Sequence, residues 1–219
     1  SPNSTKVNPA VADSNRSFVA SIINYKSGIS SQSIGLCSPW VYGMGTISMR
    51  HISYGTFDGY DELSEYTGKY HSADTWFNIG YSKKIKLFPM RFGLTAQYFL
   101  SSLENYTINA VAISFGSMIS FKRIDSNFGV SVHNIGTTLN INNYSEGLIE
   151  PKIVFSGAKT LAYLPLTIYM DTIIERISKN QDLFIGGIFN FKNNLRVRLG
   201  TSTRKISQNT NQDLIKSII

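Results

Sequence analysis

The feature that most constrains this chain is a period of two in its hydrophobic residues, sustained over most of its length. Met90, Phe92, Leu94, Ala96, Tyr98 and Leu100 alternate with Arg91, Gly93, Thr95, Gln97, Phe99 and Ser101, the spacing that puts side chains on opposite faces of a strand. The rhythm returns in Leu195, Val197 and Leu199 against Arg196, Arg198 and Gly200, and in Leu166, Ile168 and Met170 against Thr167, Tyr169 and Asp171. Phe128, Val130 and Val132 oppose Gly129, Ser131 and His133. Between Thr107 and Phe121, one side carries Val111, Ile113, Phe115, Ile119 and Phe121, and the other Ala110, Ala112, Ser114, Gly116 and Ser120. Little is left for helices. Only Asp171 to Asn180 allows a short helical turn, and its β-branched residues count against even that.

The pattern predicts strands at Ser17–Tyr25, Ser31–Ser38, Gly43–Tyr54, Asp74–Ser82, Pro89–Ser101, Tyr106–Lys122, Phe128–Gly136, Pro151–Thr160, Pro165–Thr172, Asp182–Phe191 and Leu195–Thr203, with a further one starting at Leu214. Connections alternate along the chain. Tight turns at Ser38–Tyr42, Lys83–Phe88, Arg123–Asn127, Leu161–Leu164 and Lys192–Asn194 are interleaved with mostly longer polar segments: Lys26–Ser30, Gly55–Ala73, Ser102–Asn105, Thr137–Glu150, Ile173–Gln181 and Lys205–Asp213. In an up-and-down meander, alternate connections share an end, so short turns fall at one end and long loops at the other. Outer-membrane barrels have that asymmetry.

Two architectures compete. A soluble β-sandwich turns its large apolar residues inward and carries charge outside. Here the polar face is rich in Gly, Ser, Thr, Asn and Ala, and only 16% of all residues are charged, against about 25% in ordinary soluble domains. Small polar residues suit a crowded barrel interior, and a Phe, Leu, Ile and Val face suits hydrocarbon. Strands of about 9–11 residues also fit a tilted membrane span. The expectation is an all-β, antiparallel, up-and-down transmembrane β-barrel, forming one domain over residues 1–219.

With the apolar face outward, Arg50, Asn78, Arg91, Gln97, Lys152, Arg196 and Arg198 face the lumen, which is then basic. Attraction of anionic groups and an internal hydrogen-bonded network filling the interior both fit that placement. Tyr25, Trp40, Tyr42, Tyr54, Trp76, Tyr81 and Tyr106 lie near predicted strand ends, where amphipathic rings anchor at lipid–water interfaces.

Lys and Arg outnumber Asp and Glu by 21 to 14, a net charge of +7. The basic residues are scattered, and the tight cluster Lys83, Lys84 and Lys86 reads as a solvated turn, so the excess does not indicate nucleic acid. The single Cys37 cannot form an internal disulfide, and no Cys or His spacing points to a metal or cofactor. Phosphate-binding, nucleophile-elbow, zinc and calcium-loop motifs are missing. His51, His71 and His133 stand singly and read as hydrogen-bonding residues. Asp58, Asp61 and Glu62 lack the oxygen spacing of a calcium loop. A non-catalytic protein is expected.

Several segments in order complete the picture. Asn8-Pro9-Ala10 precedes the first strand; Ile52-Ser53-Tyr54-Gly55-Thr56-Phe57-Asp58 leads into Asp61-Glu62; Gly68-Lys69-Tyr70-His71-Ser72-Ala73-Asp74 and Gly80-Tyr81-Ser82 follow, then Ser102-Leu103-Glu104-Asn105-Tyr106 and His133-Asn134-Ile135-Gly136-Thr137. Together they resemble the PorV/PorQ family of outer-membrane proteins of the type IX secretion system, on its PorQ side, distant in fold from FadL-type barrels. The resemblance runs from about Asn8 to Arg204 and implies a barrel short of the family at both ends. It further implies residence in the bacterial outer membrane and a role in anchoring a PorZ-like surface protein, alongside PorU- and PorV-like components of a cargo-attachment complex. On that reading the segment Gly55–Ala73 is the contact surface, with Tyr60, Tyr66 and Tyr70 among Asp58, Asp61 and Glu62. Aromatic residues bind strongly at interfaces, and acidic neighbours select a basic partner patch. The alternative is a FadL-like transporter or channel for hydrophobic or small solutes, with a path lined by Arg91, Arg196 and Arg198.

Overall fold

A computed structural model of the protein describes residues 8–11, 16–25, 28–85, 87–104, 106–139, 149–191 and 195–203. Eleven strands follow one another: β1 (Ser17–Asn24), β2 (Ser30–Trp40), β3 (Gly43–Tyr60), β4 (Tyr66–Lys84), β5 (Met90–Leu103), β6 (Tyr106–Phe121), β7 (Ser126–Thr138), β8 (Lys152–Thr160), β9 (Leu166–Glu175), β10 (Gln181–Asn190) and β11 (Arg196–Ser202). They form one sheet in chain order, every neighbour antiparallel. Each predicted strand from Ser17 to Thr203 has its counterpart. The predicted strand at Leu214, and Lys86 of the basic cluster, lie outside the described residues. No helix among the described residues is long and apolar enough to cross a membrane.

Burial is inverted relative to a water-soluble core. Ile79, Ile47 and Phe115 are 62%, 61% and 51% exposed, while Ser131, Ser114 and Ser48, on the opposite face, are 1%, 5% and 6% exposed. Phe92, Leu94, Ile113 and Val197 all lie on the exposed face. The outer rows are continuous across strands, as in Leu36, Ile47, Ile79, Ala96 and Ile113, which sit side by side from β2 to β6.

The sheet curls strongly around its polar face. Arg50 on β3 and Lys152 on β8 line one cavity of about 280 Å³. Strands five steps apart in a flat sheet would be separated by roughly 24 Å, far too much for one such cavity. Among the described residues β1 and β11 are the ends of the sheet and do not pair with each other, so closure into a barrel is not reached within them.

The inner face is partly filled by the chain's own first described residues. Pro9–Val11 forms a single turn against β4, β5 and β6. Asn8, Pro9 and Ala10 are almost fully buried there. The Asn8 side-chain amide donates to the Ser117 carbonyl at 3.1 Å, and its oxygen accepts the Ala10 N–H at 2.9 Å. Three strands make room by carrying glycine: a Cβ on Gly93 would run into the Pro9 carbonyl, and one on Gly116 or Gly129 into the Asn8 amide. At Gly93 two backbones approach closely, and at Gly116 and Gly129 the Asn8 side chain takes the space a Cβ would need.

Three expectations are corrected. Gly55–Ala73 is not a loop: β3 and β4 continue through it, pairing Thr56 with His71, Phe57 with Tyr70 and Asp58 with Lys69, and only residues 61–65 turn. Tyr54 and Trp76 do not lie at strand ends. Both sit well within the lengthened β3 and β4, and Trp76 lines the inner cavity. Nor does Asp171–Asn180 turn helically, because β9 runs on to Glu175. Among the described residues, the long end of the molecule is distinguished mainly by one tall hairpin.

Candidate functional site

Among the described residues, two places gather side chains capable of recognition: the chamber on the inner face and the tip of the β3–β4 hairpin.

The chamber is built from strand register. Arg50, Trp76 and Phe99 lie opposite one another on β3, β4 and β5, and Ser48, Asn78 and Gln97 form the next inward row. The Arg50 guanidinium stands 5.6 Å from the centre of the Trp76 ring, a cation–π distance, and its Nε donates to Ser31 Oγ at 3.4 Å. Trp76 in turn packs on Phe99 with ring centres 5.0 Å apart. The Arg50 side chain is thereby held between a hydroxyl and an indole. On the far side, His133 and Lys152 are register partners on β7 and β8. His133 is buried and bonded to Ser131 Oγ at 2.8 Å. Asn134, in the left-handed conformation with φ 59°, donates its side-chain amide to the Glu150 carbonyl at 3.1 Å. That twist marks an irregularity in the β6–β7 pairing beside Ser114. The Thr95 hydroxyl oxygen, also on the chamber wall, is buried with no hydrogen-bond partner.

Of the residues expected in the lumen, Arg50, Asn78, Gln97 and Lys152 meet around this one chamber. Arg91 shares their face but lies toward the short-turn end, near Tyr42, Ser82 and Lys84. Arg196 and Arg198 are on β11, exposed, on the same face as Gly200. Trp76, Thr95, Ser114, His133 and Asn134 complete the chamber and were not singled out for it. Their inward parity was visible in the alternation, but the convergence of six strands on one point was not.

The hairpin tip is ordered by its own residues. Asp61 Oδ1 accepts the N–H groups of Leu63 and Glu65 at 2.9 and 2.8 Å, and Ser64 takes a left-handed φ of 64° to close the turn. Asp61 therefore holds the turn and is not a free ligand. Below it the rings of Tyr60 and Tyr66 meet edge to face at 5.9 Å, and Phe57 stacks on Tyr70 at 5.5 Å. Register irregularities near Gly55 and Gly59 twist the two strands, with Gly55 and Gly68 at positive φ, as bulges do. Tyr60, Leu63 and Tyr66 stay widely exposed. Asp58, Glu62 and Glu65 add acidic charge around them, with Lys69 opposite Asp58.

Close to the chamber rim, Glu150 accepts the Ser178 N–H at 2.6 Å. This bond, helped by the Ser178 hydroxyl and the nearby Lys152 charge, holds the Glu150 carboxyl below the usual carboxylate range. It ties the start of β8 to the β9–β10 connection. In comparisons with family models, curated proteins and solved structures, no match to this chain is found.

Proposed function

We propose that this protein is a non-catalytic outer-membrane barrel of the type IX secretion system, of the PorV/PorQ kind, whose tall hairpin docks a PorZ-like surface protein. Its partners on this reading are that protein, PorU- and PorV-like attachment components and the lipid bilayer. The observation that carries the reading is the inverted burial: bulky apolar side chains outward on strand after strand, serine, threonine and alanine inward. Such a surface is unfavourable in water and favourable in hydrocarbon. A lipid-embedded sheet is a rigid base, and the aromatic, acidic tip of β3–β4 is the surface feature best placed for an interface core with charge selection.

The test is co-purification in detergent. Full-length protein should retain the surface partner, and a variant with residues 57–70 replaced by a short turn should lose it while still folding. Retention by the shortened variant overturns the hairpin as the docking element. Solute-dependent conductance or uptake by reconstituted protein would favour the FadL-like transport reading instead.

A further inference from the structure

We infer that the inner chamber is a binding site for a small anionic sugar, one carrying a phosphate or carboxylate group. The inference concerns a different part of the molecule from the docking hairpin and does not depend on it.

The starting point is two cations that share a cavity with no carboxylate in its described lining. Arg50 and Lys152 project into the same cavity of about 280 Å³, and no carboxylate is among the described residues that line it. Outside the lining, Glu150 lies within reach of the Lys152 charge and Glu175 is the register partner of Lys152 on β9, while Asp74 accepts the Tyr54 hydroxyl at 2.7 Å. Cations on a confined wall need anionic or water partners to offset lost hydration. Rim carboxylates stand beside Lys152, whereas Arg50 faces the cavity with no carboxylate in the lining, so Arg50 is the group on which an anion would seat.

Arg50 is also pre-oriented. Trp76 supports its guanidinium face and Ser31 binds its Nε, leaving the terminal nitrogens for a bidentate anion contact. The remainder of the wall combines amides and hydroxyls with the Trp76 and His133 rings and the Lys152 side chain. Asn78 and Gln97 supply donors and acceptors. That combination of guanidinium, amide and hydroxyl groups suits a polyol bearing one anionic group. The volume is close to the lower limit of about 300 Å³ for small-molecule pockets, enough for one sugar ring.

The chain holds two tryptophans, Trp40 and Trp76. Trp40→Phe in the full-length protein leaves Trp76, in contact with Arg50, as the sole indole reporter. In detergent, glucose 6-phosphate and glucuronate should each change its fluorescence saturably, with glucose inert. Arg50→Gln should weaken binding at least tenfold and Lys152→Gln severalfold, read by calorimetry because Arg50→Gln alters the reporter's surroundings. Arg198→Gln, on β11 outside the chamber, should leave the affinity unchanged. Heat-resistant migration in detergent gels confirms that each variant folds. The inference is overturned if neither anionic sugar binds, if glucose binds equally, if inorganic phosphate binds as tightly as glucose 6-phosphate, or if Arg198→Gln weakens binding as much as Arg50→Gln.

Discussion

The side-chain amide of Asn8 donates to the backbone carbonyl of Ser117, 109 residues further along the chain, at 3.1 Å. That bond pins the turn at Pro9–Val11 to the middle of the sheet's inner face, where Gly93, Gly116 and Gly129 leave space for it.

Asn8→Ala removes both this bond and the one from the Ala10 N–H. Leaving buried partners unsatisfied costs about 1–3 kcal/mol, so thermal unfolding in detergent should shift down and the segment should become sensitive to protease. Gly93→Ala should release the segment too, since its new methyl group would occupy the space of the Pro9 carbonyl. Unchanged protease resistance in both variants would mean that the seat is not what holds the segment.

Ile79 is 62% exposed at the centre of the outer apolar rows. In a bilayer, Ile79→Arg should destabilise the folded protein by about 2–4 kcal/mol, the cost near the midplane. At a surface facing water the same change would stay within about 0.5 kcal/mol. Reversible unfolding from lipid vesicles distinguishes the two. Tyr60→Arg at the hairpin tip should be near neutral in the same assay.

Asp61 supports the hairpin turn through two N–H groups. Asp61→Ala should cost about 1 kcal/mol per bond, confined to the tip, so amide exchange at Leu63 and Glu65 should accelerate while the strands below keep their protection. Asp61→Asn, which retains an acceptor oxygen, should recover most of it.

The depressed carboxyl of Glu150 makes the link between the start of β8 and the β9–β10 connection pH-dependent. Its folded pKa lies below the unfolded one, so the stabilisation is fully present above the unfolded value and is lost as pH falls through the folded value. Exchange at the Ser178 amide should therefore rise, beyond its intrinsic pH dependence, on acidification below the ordinary carboxylate range. Glu150→Gln should abolish that extra rise.

Much of the fold was legible because alternation is a local signal: Met90 to Ser101 states its two faces without reference to any other strand. What escaped the sequence depends on relations between strands. Gly55, Asp58, Gly59 and Gly68 read as loop residues, yet the irregular register and positive φ near them let β3 and β4 pair onward. Trp76 reads as an interfacial ring when β4 is taken to start at Asp74; with β4 starting at Tyr66 it becomes an inner residue beside Arg50. Asn8-Pro9-Ala10 was visible as a motif, but its seat requires glycines on three strands to align, which only pairing register supplies. The chamber follows the same rule, with its parity written in each strand and its convergence set by curvature.

The strand order has a consequence for how the molecule assembles. Because every strand pairs with its sequence neighbours, the sheet can grow hairpin by hairpin with modest loop-closure entropy at each step. The Asn8 anchor spans more than a hundred residues and needs β5, β6 and β7 already side by side. Its docking is thus a late event in folding, and an accessible Asn8 identifies molecules whose central strands have not yet come together.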